Sequence, residues 1–154
     1  MNFRDRAVLL LATGFSVGRI SLAPGTFGSL LGIPLCLVLA EIGLDVMVAA
    51  AAVAFVLFAV WIAGKAERLI RIKDAPCIVI DEMAGITVTM LGVPLTPLNL
   101  TAGFIAFRVL DIIKPFPARY MDAKVAGGWG IVMDDVVAGL YCNLLLRAIS
   151  LIFC

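Results

Sequence analysis

The sequence contains no histidine, and only 15% of its 154 residues are charged. The absence of histidine excludes imidazole as a general acid, a general base or a metal ligand. The net charge of +1 gives no electrostatic reason to expect a nucleic-acid partner. The four cysteines form no CxxC pair, and most of them lie in apolar runs. We therefore expect free thiols, and neither a zinc site nor a disulfide framework.

Hydrophobic residues make up 63% of the chain, and the mean hydropathy is +1.13. Soluble domains are roughly 45–50% apolar and about 25% charged, so this composition indicates a bilayer as the solvent. The apolar runs predict membrane spans at about 27–43, 46–64, 83–107 and 136–154. We predict an all-α fold for a single domain that covers residues 1–154: a small polytopic bundle of membrane helices with an amphipathic N-terminal helix.

The third apolar run contains Pro94 and Pro97, which favour a turn in its middle. Cytoplasmic loops carry an excess of Lys and Arg, which assigns the basic N-terminus and the segment from Lys65 to the cytoplasmic side. A helical hairpin in the third run keeps the later cations on that side as well; these are Arg108, Lys114, Arg119 and Lys124. We predict the hairpin, while a single span and a re-entrant loop stay open as alternatives.

Carboxylates stand in pairs where apolar runs begin. Asp81 and Glu82 precede the third run, Asp134 and Asp135 precede the last run, and Asp111 follows the hairpin. Charge at the edge of lipid is costly unless it is paired or metal-bound, and carboxylate oxygens suit hard cations such as Mg²⁺. We predict that all five are catalytic residues and that the two pairs, Asp81 with Glu82 and Asp134 with Asp135, are metal ligands. The alternative is that they cap helices and pair with cations, although one aspartate of the last pair would suffice as a cap.

Cations are interleaved with these carboxylates. In the segment FRVLDIIKPFP, Arg108, Asp111 and Lys114 recur at every third position, which keeps them near one helix face. The row is compatible with a salt-bridge ladder. It is equally compatible with a metal-binding aspartate whose flanking cations bind phosphate.

The segment GRISLAPGTFGSLLG offers an anion site of another kind. Gly25 allows a close approach of the backbone, Thr26 and Ser29 can cap the helix that follows, and free N–H groups at a helix start bind anions. An ordinary capped loop is the alternative, and a P-loop is excluded because its lysine is missing. The predicted phosphate-binding residues are Arg19, Gly25, Thr26, Ser29, Arg108 and Lys114.

These three clusters suit chemistry on a phosphate that is carried by a lipid. Without histidine there is no phosphohistidine intermediate, and the sequence lacks both the cysteine-phosphatase loop and a DxD pair. Two kinds of attack remain, one by a water activated by magnesium and one by an aspartate directly.

Four segments carry a more specific resemblance: APGTFGS (23–29), IVIDEMAG (78–85), FRVLDIIKPFP (107–117) and GGWGIVMDDVVAG (127–139). In this order they are similar to the signature blocks of the phosphatidylglycerophosphatase A family. The resemblance implies a multi-pass protein of the bacterial inner membrane whose active site faces the cytoplasm. It also implies removal of the terminal phosphate from phosphatidylglycerophosphate, with Mg²⁺, to give phosphatidylglycerol. It leaves open which carboxylate is the nucleophile, the base or a ligand.

An ion-coupled transporter that uses interfacial carboxylates is the alternative function. Transporter sites lie near the bilayer midplane on broken helices, whereas these carboxylates lie at the ends of apolar runs. Arg147, deep in the last run, fits a transporter better, unless it snorkels or pairs with Glu41 or Asp45 at the far interface. An oligomer is compatible with the sequence.

Overall fold

The computed structural model describes residues 2–153, and all the regular secondary structure in that range is helical. A 3-10 turn at Val17–Arg19 lies between the first two α-helices. The α-helices are α1 (Phe3–Ala12), α2 (Pro24–Ala40), α3 (Asp45–Ile70), α4 (Ile80–Met90), α5 (Pro97–Ile113), α6 (Ala118–Lys124) and α7 (Gly128–Phe153). The predicted all-α class is confirmed.

Two helices, α3 and α7, are long and apolar enough to cross a membrane, with mean hydropathies of 2.7 and 1.6 over their most apolar windows. The predicted span at 46–64 lies within α3, which continues to Ile70. The continuation is physically reasonable because the added segment, KAERLI, is rich in residues that favour helix. The predicted span at 27–43 corresponds to α2, which is apolar but has only 17 residues.

The last helix begins earlier than the sequence predicts, at Gly128 rather than at residue 136. Asp134 and Asp135 therefore lie in its second turn, and the alternative in which they cap this helix is wrong. The early start depends on the absence of a side chain at Gly128. An added Cβ would overlap the Val60 carbonyl oxygen of α3, so glycine lets the two helices pack backbone to backbone.

In the structure the third apolar run forms two helices, α4 and α5, joined by residues 91–96; that they form a membrane hairpin stays a prediction. With 11 residues, α4 is roughly 16 Å long at about 1.5 Å per residue. That is too short to cross a hydrocarbon core of roughly 30 Å. It packs instead against α2, α3 and α7, which bury most of its side chains.

The carbonyl groups at the end of α4 are bonded by two side chains of α7. Asn143 Nδ2 donates to the carbonyls of Thr89 at 2.9 Å and Leu91 at 2.8 Å, and Arg147 Nη2 donates to Leu91 at 2.8 Å. The last carbonyls of a helix have no partner within it, and these side chains supply the partners from α7. Arg147 thus binds the hairpin turn and not an acidic residue at the far interface.

The N-terminal helix α1 is shown, but its polar residues are not spread along one face. Arg4 and Arg6 are exposed in its first turn, while Val8 and Ala12 are buried one turn apart. The buried pair belongs to the core cluster that also contains residues of α3. The charged residues of α1 thus lie at its N-terminal end and its apolar residues follow them, so the predicted amphipathic helix is shown only in part.

Candidate metal and phosphate site

The carboxylates and cations predicted from the sequence meet in one pocket of about 310 Å³, called the polar pocket here. It lies at the end of the bundle where α2 and α4 begin and α5 finishes. Its charged lining consists of Asp74, Asp81, Glu82, Arg108, Asp111, Lys114, Asp134 and Asp135. All five predicted catalytic carboxylates are therefore brought together by the fold.

Three of these carboxylates form a cluster that could hold a metal ion. Asp81, Glu82 and Asp135 each place one oxygen within 4.8 Å of the others. The fold achieves this because α4 and α7 pack closely: a Cβ on Gly139 would overlap the Gly85 carbonyl oxygen.

The cluster fits a cation by its chemistry as well as its geometry. Asp81 and Asp135 are only 6% and 3% exposed. One buried oxygen on each of Asp81, Glu82 and Asp135 has no hydrogen-bond partner among the described residues. Gathering like charges out of water is strongly unfavourable unless a counter-charge compensates them. Hard divalent cations prefer such carboxylate oxygens.

Asp134, the fourth predicted metal ligand, is held by a cation of the chain instead. Lys114 Nζ lies 2.6 Å from Asp134 Oδ2 and 3.2 Å from Asp122 Oδ2. Burial lowers the pKa of Lys114, but the hydrogen bonds and charges of Asp134 and Asp122 outweigh burial and raise it above its ordinary value. Lys114 is therefore a fixed positive charge on the pocket wall.

Arg108 supplies the second positive charge of the wall. Its Nη1 lies 2.5 Å from Asp111 Oδ2, one turn along α5, and both side chains are largely shielded from solvent. The Arg108–Asp111 contact is one ion pair of the predicted salt-bridge ladder. Lys114 does not extend that ladder to Asp111 but pairs with Asp122 of α6 and Asp134 of α7. The buried Nε of Arg108 has no hydrogen-bond partner within residues 2–153, so one edge of the guanidinium is available to an oxyanion.

Gly25 lies directly against this constellation, at the start of α2. A Cβ at this position would overlap Glu82 Oε1 and would lie 3.1 Å from both terminal nitrogens of Arg108. Only glycine lets the helix start approach these two side chains so closely. The prediction of a close backbone approach at Gly25 is confirmed.

The other residues predicted from the same loop lie outside the lining of the polar pocket. The helix begins at Pro24 without a side-chain cap, so the capping prediction for Thr26 and Ser29 is wrong. The buried Ser29 hydroxyl donates to the Gly25 carbonyl at 2.8 Å, and Arg19 is exposed. A phosphate-binding function for Arg19, Thr26 and Ser29 stays a prediction.

Sequence reasoning missed Asp74 and Asp122. Asp74 lines the polar pocket from the loop between α3 and α4, and Asp122 contacts Lys114 from α6. Asp74 has a left-handed backbone (φ 45°), as do two other lining residues, Ala23 (φ 50°) and Lys114 (φ 48°). Such conformations are unfavourable for non-glycine residues and tend to occur at functional sites. The one available signal for Asp74 was its position just before the Asp81 segment.

Comparison with known proteins agrees with this geometry. The sequence pattern of Phosphatidylglycerophosphatase A matches residues 10–150. The chain belongs to this family. It is 38% identical over 143 residues to Phosphatidylglycerophosphatase A of Haemophilus influenzae, covering 92% of this chain and 87% of that protein. It is 35% identical over 137 residues to the Escherichia coli protein of the same name, covering 85% and 76%.

A third relative has a different name. The chain is 37% identical over 145 residues, 90% of each protein, to a Bacteroides thetaiotaomicron protein that carries the provisional name phosphatidylinositol-3-phosphatase. No solved structure gives a significant match. Relatives with similar identity to this chain are therefore named for two different lipid phosphates.

Each of the four segments that resemble the family contributes to the polar pocket. Segment 23–29 supplies Gly25, and segment 78–85 supplies Asp81 and Glu82. The segments at 107–117 and 127–139 supply Arg108, Asp111, Lys114, Asp134 and Asp135, whereas Asp74 comes from outside the four segments. Four segments that are far apart in the sequence thus line the same pocket in the folded chain.

Proposed function

We propose that the protein is a Mg²⁺-dependent lipid phosphatase that hydrolyses phosphatidylglycerophosphate to phosphatidylglycerol and phosphate. The observation that carries the proposal is the convergence of Asp81, Glu82 and Asp135, with unpaired buried oxygens, beside Arg108 and Lys114 in one pocket. Metal-binding oxygens beside fixed cations are what phosphoryl transfer requires. The family to which the chain belongs supports the same reaction and argues against the transporter alternative.

The proposed location is the bacterial inner membrane, with several passes and the polar pocket at the cytoplasmic face. The apolar helices α3 and α7 and the bacterial relatives support it. Asp135 and Ile152 are 17 positions apart on α7, or roughly 26 Å at about 1.5 Å per residue. This is close to the thickness of the hydrocarbon core, which supports a pocket at the boundary between hydrocarbon and headgroups. An oligomer stays compatible with this arrangement.

Asp81, Glu82 and Asp135 would hold the Mg²⁺, which when bound supplies Lewis-acid stabilisation of the charge on the phosphate. Arg108 binds phosphate oxygens through the free edge of its guanidinium. Lys114, fixed by its two aspartate partners, adds a second positive charge. Fixed charges in a shielded site stabilise the charge of the transition state without reorganising.

Asp134 is the carboxylate best suited to act as the general base. Its Oδ2 is fixed by Lys114, and its buried Oδ1 has no hydrogen-bond partner in the described part of the chain. In hydrolysis, a water oxygen forms a bond to phosphorus while the bond from phosphorus to the glycerol oxygen breaks. Asp134 Oδ1 accepts the proton of the attacking water. The glycerol oxygen takes a proton from solvent water as it leaves, giving the hydroxyl of phosphatidylglycerol, and Asp134 then returns its proton to solvent.

Phosphatidylinositol 3-phosphate is the second candidate substrate, favoured by the name of the Bacteroides relative. Both lipids present a phosphate monoester on a headgroup, and the polar pocket supplies metal ligands and cations for either one. The monoester is carried by a glycerol unit in phosphatidylglycerophosphate and by an inositol ring in phosphatidylinositol 3-phosphate. A direct comparison of the rates of phosphate release from the two lipids therefore decides between them.

The testing experiment measures phosphate release in detergent micelles with each lipid, in Mg²⁺ and in EDTA. Wild type, Asp134→Asn and Asp135→Asn are compared with Asp45→Asn, a control at the exposed start of α3. We expect Mg²⁺-dependent release from phosphatidylglycerophosphate that is lost in both pocket variants and kept in the control. Release from phosphatidylinositol 3-phosphate alone would show that this lipid, and not phosphatidylglycerophosphate, is the substrate. No release from either lipid would overturn the phosphatase proposal.

A further inference from the structure

A second, apolar pocket lies between α2 and α5 and is called the apolar groove here. It encloses about 280 Å³ and is lined by Leu30, Ile33, Pro97, Leu100, Thr101 and Phe104. The Thr101 hydroxyl donates to the Pro97 carbonyl at 2.8 Å within α5. The side chains that line the groove therefore present hydrocarbon and no unused donor.

The apolar groove lies on the same two helices that deliver Gly25 and Arg108 to the polar pocket. Leu30 and Ile33 stand five and eight residues beyond Gly25 on α2, which is roughly 8–12 Å at about 1.5 Å per residue. Phe104 stands four residues before Arg108 on α5, or roughly 6 Å. The two helices run in opposite directions, and each places the groove about one to three turns from the polar pocket.

The groove is also open to the surroundings of the bundle. Leu30 is 43% exposed, and the neighbouring outer face of α5 presents Ile105, Val109 and Ile112, which are 48–73% exposed. In a membrane protein such a face is in contact with hydrocarbon. A lipid can therefore reach the groove sideways from the bilayer.

We infer that the apolar groove binds one acyl chain of the lipid substrate while the phosphate monoester of the same molecule occupies the polar pocket. The inference rests on the proposed phosphatase function. It follows from chemical complementarity at both ends: metal-binding carboxylates and cations for the phosphate, and hydrocarbon walls about one to three turns away for the chain. The glycerol units and the phosphodiester of the substrate span the distance between the two pockets.

The groove acts by orientation and not by hydrophobic affinity. The competing environment of an acyl chain in the membrane is also hydrocarbon, so its transfer into the groove gains little free energy. Holding the chain instead limits how the headgroup can enter, and so aligns the monoester with Arg108 and the carboxylates. Alignment of this kind raises the rate of the chemical step.

The test fills the groove and compares substrates with and without chains. Thr101→Trp and Leu30→Trp each place an indole in the groove, from α5 and from α2. Ile105→Trp is the matched control, on the outer face of α5 next to the groove. The substrates are diacyl phosphatidylglycerophosphate in micelles and its deacylated, water-soluble headgroup, and kcat and KM for phosphate release are measured for each.

We expect both groove variants to lower kcat/KM for the diacyl substrate at least about tenfold, as lost alignment commonly does, and to leave the deacylated headgroup unaffected. The Ile105→Trp control keeps wild-type values with both substrates. Equal losses of kcat/KM with both substrates would overturn the inference, because the substitutions would then disturb the polar pocket itself and not the binding of an acyl chain. Unchanged diacyl kinetics in both groove variants would overturn it too. Wild type inactive on both substrates would instead refute the phosphatase function itself.

Discussion

Lys114 Nζ lies 2.6 Å from Asp134 Oδ2 and so joins the end of α5 to the second turn of α7. The same ammonium group contacts Asp122 of α6. One cation thus positions a carboxylate from the last helix, while the neighbouring residue, Asp135, turns to the metal-type cluster on α4. Consecutive residues of a helix point about 100° apart, which explains how two adjacent aspartates can have two different partners.

Replacing Lys114 by Met tests this ion pair. The variant removes a positive charge from the phosphate pocket and leaves the buried Asp134 carboxylate without its cation. We expect kcat for phosphate release to fall by about 100-fold or more, the usual effect of losing one fixed charge on a transition state. Lys124→Met, an exposed lysine at the end of α6, is the control and keeps normal kinetics.

A double-mutant cycle distinguishes a joint function from two separate ones. If Lys114 and Asp134 act as a unit, Lys114→Met combined with Asp134→Asn loses little more activity than the more damaging single variant. Losses that multiply would show that the two residues act independently.

Removing a carboxylate from the metal-type cluster has opposite effects on activity and on stability. Asp81→Asn and Asp135→Asn each relieve repulsion between buried like charges, so in EDTA we expect their Tm to equal or exceed that of wild type. Mg²⁺ should raise the wild-type Tm, because a ligand of the folded state stabilises it. The variants should gain little from Mg²⁺ and release no phosphate.

The measurement is thermal unfolding in detergent at increasing Mg²⁺, with Asp45→Asn as a control that responds as wild type does. If the Tm of a variant rises with Mg²⁺ as steeply as that of wild type, the replaced residue is not a ligand of the metal.

Gly25→Ala tests the contact between the start of α2 and the two side chains beside it. The new methyl group would overlap Glu82 Oε1 and crowd Arg108, and it can be accommodated only if the carboxylate or the helix moves. We expect kcat/KM to fall by about tenfold or more, as small displacements of reacting groups commonly cause. Val38→Ala, on the exposed side of the same helix, is the control, and wild-type kinetics in Gly25→Ala would contradict the structure at this contact.

Much of the fold could be predicted from the sequence because hydrophobic runs and prolines act locally. The runs located α2, α3 and α7 approximately, and Pro94 with Pro97 marked the turn between α4 and α5. The hairpin in turn predicted that Asp81 and Asp111 would lie at the same end of the bundle, and both line the polar pocket. The free state of Cys36, Cys77 and Cys142 was predicted as well.

The remaining features depend on contacts between distant segments, which no local pattern records. The start of α7 is set by the packing of Gly128 against Val60, and not by the polarity of the residues that follow. The division of labour between Asp134 and Asp135 depends on where Lys114 lies at the end of another helix. Asp122 was missed for the same reason, since its partner is brought to it by the fold.

Arg147→Met tests whether the cation deep in the last apolar run is structural. Its guanidinium donates to the Leu91 carbonyl, at the opposite end of α4 from the polar pocket. The Leu91 carbonyl keeps its bond from Asn143 in this variant, so the cost is that of one hydrogen bond, about 0.5–1.5 kcal/mol. We therefore expect a Tm lower by a few degrees and kcat unchanged well below that temperature. Asn143→Leu, which removes the bonds to both Thr89 and Leu91, should destabilise the protein further, and Leu144→Met on the exposed side of α7 should leave Tm unchanged. If Arg147→Met instead abolished phosphate release at an unchanged Tm, the arginine would belong to the reaction and the hairpin turn would be stable without it.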